Sequence, residues 1–221
     1  MSFHTPEPFD PSCRRCPRLA AYLDEARVRY PGYHAAPVPD FGDADARLLI
    51  VGLAPGFHGA NATGRPFTGD YAGELLYRTL HAYGFGSRSQ SLSPDDGLLL
   101  KGCRITNAVR CVPPENKPTG AEVNNCNGYL AHDIERLGPG DVVLALGRVA
   151  HTAVVKAERA RQKDYPFRHG VHWPLPSGRL LLDTYHCSRY NTQTGRLTEA
   201  MFQAVFETAV SLLRDSRMGP A

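Results

Sequence analysis

Arg47-Leu48-Leu49-Ile50-Val51-Gly52-Leu53 runs directly into Ala54-Pro55-Gly56. An unbroken apolar run closed by Gly and Pro reads as a short strand buried on both faces, because a half-exposed strand would alternate. The pattern recurs at 104–109 (RITNAV), 141–146 (DVVLAL) and 179–183 (RLLLD). Helical patterns lie between or after these runs, at 73–83, 121–137, 148–156 and 198–215. Strands alternating with helices predict an α/β three-layer sandwich, with a central, mostly parallel four-stranded sheet flanked by helices. A single domain over residues 1–221 is expected. In such sheets ligands bind beyond the C-terminal ends of the strands. There the unusual residues gather: 52–56, Asn107, Gly147 and His186.

The composition, 42% hydrophobic and 21% charged over 221 residues, suits a compact domain with a sizeable core. A net charge of +3 permits a basic groove for nucleic acid without demanding one. The opening residues 1–8 hold no apolar signal region, and no apolar run approaches the roughly 20 residues of a membrane span. A cytoplasmic protein with no membrane partner is the expectation.

Six cysteines stand in the chain. Cys13 and Cys16 form C-x-x-C; Cys111 and Cys126 follow far downstream. In a reducing compartment this spacing reads as metal or redox chemistry rather than a disulfide. Four thiolates suit tetrahedral zinc or an iron–sulfur cluster, and spacing alone permits both. Cys103 and Cys187 are left over, and Cys103 reads as a small buried apolar residue.

Four segments carry candidate chemistry. The first, 52–61 (GLAPGFHGAN), lets backbone N–H groups approach a ligand closely, but lacks the Gly-Lys-Ser/Thr ending of a phosphate-binding P-loop. In the second, 63–76 (TGRPFTGDYAGELL), Phe67 suits a core or a stacking platform, and Asp70 suits a helix cap or a catalytic carboxylate. The third, 106–118, joins a strand end to a Pro-rich turn, where the amides of Asn107 and Asn116 suit either a nucleobase edge or turn stabilisation. The fourth, 185–198 (YHCSRYNTQTGRLT), places His186 at a strand end beside a polar loop, whose Arg189 and Tyr190 suit a phosphate contact and an aromatic wedge.

In this order the segments GLAPG (52–56), TGRPFTGD (63–70), VRCVPPENKPT (109–119) and SRYNTQTGRLT (188–198) resemble the B-type iron–sulfur branch, family 5, of the uracil-DNA glycosylase superfamily. The resemblance runs from Cys13 to about Thr198. It implies a [4Fe–4S] cluster on Cys13, Cys16, Cys111 and Cys126. It also implies base-excision chemistry: a glycosylase that flips uracil, and other deaminated bases such as hypoxanthine and xanthine, out of DNA and hydrolyses the N-glycosidic bond. On that resemblance Asp70, Asn116 and His186 are the catalytic candidates. Phe67, Asn107, Gly52 and Ala54 would hold the base. Pro55, Gly56, Ser188, Arg189 and Tyr190 would contact DNA, and the enzyme would act as a monomer.

Two departures from the wider superfamily stand out. Its first motif often carries a polar residue that directs water, where this chain has apolar Leu53-Ala54-Pro55. Its third motif often reads His-Pro-Ser, where this chain has His186-Cys187-Ser188. Other readings are an A-type iron–sulfur relative with narrow uracil preference, a non-enzymatic nucleic-acid module with a four-cysteine zinc site, and a phosphate-binding hydrolase. Leu53-Ala54 and the NTQTGRLT loop speak against the first. The absence of a nucleophile–base pair speaks against the last.

Overall fold

A computed structural model describes residues 5–218; Met1–His4 of the polar opening lie outside the described residues. In chain order the elements are α1 (Pro17–Arg29), β1 (Phe41–Gly42), β2 (Leu48–Gly52), α2 (Ala60–Thr63), α3 (Tyr71–Ala82), β3 (Cys103–Asn107), α4 (Gly120–Glu135), β4 (Val142–Leu146), α5 (Arg148–Ala157), β5 (His172–Pro174), β6 (Leu180–Thr184), α6 (Arg189–Gln193) and α7 (Glu199–Met218). The sheet order is β1-β3-β2-β4-β6-β5.

The four apolar runs form the four central strands, all parallel. Every residue of β2, β3 and β4 is buried, as their unbroken apolar character requires. The sheet has six strands rather than four. The additional β1 and β5 are antiparallel edge strands of two and three residues. Both are too short to leave an apolar run in sequence, and β5 ends on Pro174, which an edge strand tolerates.

Alternate strand residues point to opposite faces. Leu48, Ile50, Ile105, Leu144 and Leu182 pack with Leu76 and Leu80 of α3 and Phe202 and Phe206 of α7. Leu49, Val51, Val143, Ala145 and Leu181 pack with Leu130 and Ile134 of α4 and Ala150 and Val154 of α5. A third cluster joins Leu19 and Leu23 of α1 to Val109, Val112 and Tyr129. The four predicted helices are present within a few residues of their expected bounds. The helix α1 was not expected, although Pro17 sits at its start and Leu19, Leu23 and Ala26 line its buried side.

Beyond the C-terminal edge of the sheet the strand-to-helix connections converge. The chain leaves β2 for β3 on one side and returns to β4 on the other. A crevice opens where an α/β sheet reverses direction in this way.

Candidate active site

A cleft of about 680 Å³ occupies that crevice. Leu53 and Ala54 enter it after β2, Asn107 from the end of β3, Leu146 to Val149 from the β4–α5 junction, and His186 from beyond β6. Phe67, Asp70 and Asn116 also line it. Segments far apart in sequence thus reach one cavity because parallel strands end at one edge.

Phe67 adopts φ +56°, a conformation unusual for a bulky residue and a form of strain that surrounding contacts must hold. Those contacts are visible. The Tyr77 hydroxyl donates to the Pro66 carbonyl at 2.6 Å, and Arg65 Nε donates to Thr68 Oγ1 at 3.0 Å. Arg65 in turn pairs with Asp96 at 2.7 Å. A Cβ on Gly52 would fall 2.7 Å from the Phe67 ring and 2.3 Å from Asn107 Oδ1. Gly52 therefore lies beneath these two side chains and lets both settle onto the backbone, without itself lining the cleft.

Asn107 is almost fully buried, and its Oδ1 has no hydrogen-bond partner within the protein. A buried acceptor without a partner is unusual, and Asn107 is among the residues that line the cleft. It is suited to a ligand N–H. His186 packs alongside, its ring 6.1 Å from that of Phe67 and inclined by 28°. Burial pulls its pKa from 6.5 down to about 4, so the imidazole is neutral at physiological pH and carries one N–H to donate. Asn191 Nδ2 holds the His186 carbonyl at 2.8 Å.

Asp70 occupies the N-cap position of α3, but its side chain does not cap that helix. The carboxylate instead faces the 56–60 turn and accepts only a long bond, 3.4 Å, from the Ala60 N–H. Burial raises its pKa above 3.8. A carboxylate spared from capping and sparsely solvated is available to a water or a developing cation. Asn116 adopts φ +56° in the turn after Pro114 and presents an exposed side chain to the same cleft.

The rim carries Gly56, Ser188, Arg189 and Tyr190. Ser188 caps α6, a short helix where the sequence suggested only a polar loop. Arg189 lies over Tyr71, its guanidinium carbon 4.9 Å from the ring centroid, and Tyr190 is 71% exposed. Pro55 is buried and does not line the cleft. Tyr71, Phe57, His58, Arg148 and Val149 line it without having been anticipated. Phe57 and His58 fall inside the turn-rich 52–61 segment, which was the available signal.

The four thiols of Cys13, Cys16, Cys111 and Cys126 meet elsewhere. Cys111 and Cys126 are buried in the third apolar cluster, with Cys13 and Cys16 packed against it. Burial, and then the neighbouring Cys126, Cys13 and Cys16, push the Cys111 thiol well above its ordinary range. Arg15 Nε donates to Cys13 Sγ and Asn125 Nδ2 to Cys16 Sγ, both at 3.5 Å. Among the described residues no group of three or more His, Cys, Asp or Glu side chains closes around one metal-ion position. Cys103 and Cys187 are buried apart from this group, in the core on one sheet face.

Residues 39–210 match the Uracil DNA glycosylase superfamily. The chain is 50% identical over 206 residues to a Type-5 uracil-DNA glycosylase of Thermus thermophilus, covering 91% of this chain and 94% of the relative. It is 40% identical over 204 residues to a Type-5 uracil-DNA glycosylase of Pyrobaculum aerophilum, covering 90% and 88%. Similarity to a Type-4 uracil-DNA glycosylase of Archaeoglobus fulgidus is 34% over 140 residues, covering 63% of this chain and 56% of the relative.

Proposed function

The chain belongs to the uracil DNA glycosylase superfamily, and from that premise we propose that it hydrolyses the N-glycosidic bond of uracil in DNA, opening base-excision repair. The observation that carries this reading is one cleft lined by the Phe67 ring, a neutral His186 and Asn107, whose Oδ1 has no partner within the protein. Uracil offers a flat face for Phe67, an N3–H for Asn107 Oδ1 and an O2 for the His186 N–H. A base inside the helical stack cannot reach such a cavity, so it must be extruded.

In the reaction the C1′–N bond breaks with its electron pair leaving on the base, and a water oxygen bonds C1′. Negative charge gathers on O2, where the His186 donor is strengthened by its dry surroundings. Positive charge gathers on the sugar, which the Asp70 carboxylate stabilises; Asp70 or Asn116 orients the water, and Asp70 receives its proton. The apolar Leu53-Ala54 side of the cleft takes no part in this proton handling. Gly56, Ser188 and Arg189 line the cleft and would hold phosphates, and the exposed Tyr190 would fill the gap in the stack.

Other deaminated bases fit the same reading. Few polar side chains read the base, and stacking is tolerant of base identity. The test is single-turnover release of free base from matched oligonucleotides carrying one uracil, hypoxanthine or xanthine, using wild type and Asn107→Ala. Uracil release with measurable hypoxanthine release is the expected result, with Asn107→Ala losing mainly uracil. Hypoxanthine held at background, with uracil released readily, would refute the broad pocket and leave Asn107 as a strict uracil reader.

Cys13, Cys16, Cys111 and Cys126 would hold an iron–sulfur cluster. Four thiols crowded in an apolar pocket repel as thiolates unless cationic metal sits among them. N–H donors to two of the sulfurs suit such a group. One tetrahedral zinc needs all four sulfurs about 2.3 Å from a single point, whereas each cluster thiolate binds its own iron. Such a cluster would supply a covalent tie between the segment entering α1, the segment after β3, and α4; glycosidic hydrolysis transfers no electrons. A single domain, acting as a monomer in the cytoplasm, completes the proposal. Among the described residues no helix is long and apolar enough to cross a membrane.

A further inference from the structure

A second cleft of about 330 Å³ lies between α1 and residues 113–116. Phe57, His58 and Asn116 line both this cleft and the main one, so the two share a wall. We propose that the second cleft is a subsite for the nucleotide adjoining the extruded one in the substrate strand, with that nucleotide's phosphate on Arg29. This rests on the glycosylase reading.

The lining has the chemistry of such a subsite. Tyr22, Tyr30 and Phe57 supply aromatic walls: Phe57 lies 5.5 Å from Tyr22 and 5.6 Å from Tyr30 between ring centroids. Tyr30 is backed by Tyr33, stacked at 4.6 Å with planes 16° apart. The Tyr33 hydroxyl meets His58 Nδ1 at 2.7 Å, which holds the shared wall in place. Arg29 lies over Tyr30, its guanidinium carbon 5.4 Å from the ring centroid, and remains exposed. Its planar fork matches a phosphate while its face stays on the ring. The carboxylate of the lining, Glu115, is already paired with Lys117 at 3.1 Å and so offers reduced repulsion to a phosphate.

Geometry supplies the rest of the argument. A nucleotide drawn into the main cleft leaves its strand neighbours attached at both sides. Ser188, Arg189 and Tyr190 stand at the rim for DNA, and Phe57, His58 and Asn116 lead to the second cleft. Aromatic walls beside a cation are the usual means of holding single-stranded nucleic acid without reading its sequence.

The test compares wild type, Arg29→Gln and Tyr30→Leu on uracil oligonucleotides of three kinds: flanked on both sides, ending at the lesion on the 5′ side, and ending at it on the 3′ side. With both flanks present, each variant should raise KM by roughly 5- to 10-fold. Arg29→Gln should also lower the salt slope of binding by about one. The deficit should vanish on one, and only one, of the truncated substrates. Equal deficits on both truncated substrates, or none on the full one, would overturn the subsite while leaving uracil excision intact. Wild type releasing no uracil from any oligonucleotide would overturn the glycosylase reading as well. Thermal melting checks that Tyr30→Leu is folded; Arg29, being exposed, carries the test if it is not.

Discussion

The rings of Phe67 and His186 stand 6.1 Å apart with their planes only 28° from parallel. A base stacked on Phe67 is therefore nearly parallel to the imidazole. In the proposed reading the N–H, which lies in the imidazole plane, would reach the base at its edge, where carbonyl oxygens accept best. One wall of the cleft would thus meet the proposed base both by face and by edge.

Removing the edge contact should be felt in the chemical step. His186→Ala is expected to lower single-turnover uracil release by about 10²- to 10³-fold, the range for losing one donor to a developing oxyanion. DNA affinity should change little. Because the His186 pKa is pulled down to about 4, the wild-type rate should show no inflection near 6.5. The unfolded chain binds that proton more readily than the folded one between these values. Stability contributed by neutral His186 is therefore lost as pH falls from 6.5 towards 4. Urea midpoints of wild type and His186→Gln across that window should converge on acidification. A uracil release rate unchanged by His186→Ala would remove the residue from the mechanism.

A methyl group on Gly59 would lie 1.9 Å from Asp70 Oδ1. The Gly59 φ of −103° lies outside the left-handed region. Gly59→Ala should push the carboxylate out of place, lowering the rate towards that of Asp70→Asn, with thermal melting checking that the variant is folded. Asp70 is raised above 3.8 by burial, so the wild-type rate should fall on acidification through an inflection above that value, absent from Asp70→Asn. Asp70→Asn and Asn116→Ala should combine with less than multiplicative loss if both act on one water. Clean multiplication of the two losses would assign them separate tasks.

Cys13→Ala should lose visible absorbance and iron together, and melt at a lower temperature. The cross-link between α1 and the 111–126 region would be gone. Iron assay and calorimetry on the same preparation decide it. A variant that had lost its metal yet kept full thermal stability would rule out a structural role.

Arg110 and Asp133 form an ion pair almost fully removed from solvent, and Asp133 also accepts from Thr106 Oγ1 at 2.8 Å. Breaking one side leaves a buried charge without its partner, which typically costs about 3–5 kcal/mol. Asp133→Leu should lower the urea-derived stability by that amount. Because Arg110 adjoins Cys111, iron retention should fall too. A loss below about 1 kcal/mol would mean that water reaches the pair.

The central strands were legible in residues 47–53, 104–109, 141–146 and 179–183 because burial on both faces imposes unbroken apolar runs. The strand ends then announced Ala54, Asn107 and His186. What those residues do to one another was decided only by the tertiary structure. Edge strands of two and three residues leave no periodicity to read. Asp70 sits where a helix cap is expected, and only the packed 56–60 turn shows its carboxylate facing away from the helix. The lowered His186 pKa, the unpartnered Asn107 oxygen and the strained Phe67 all arise from surroundings assembled across more than a hundred residues. Local sequence determines backbone preference and which side chains are available; desolvation, close approach and unmet hydrogen bonds depend on three-dimensional neighbours.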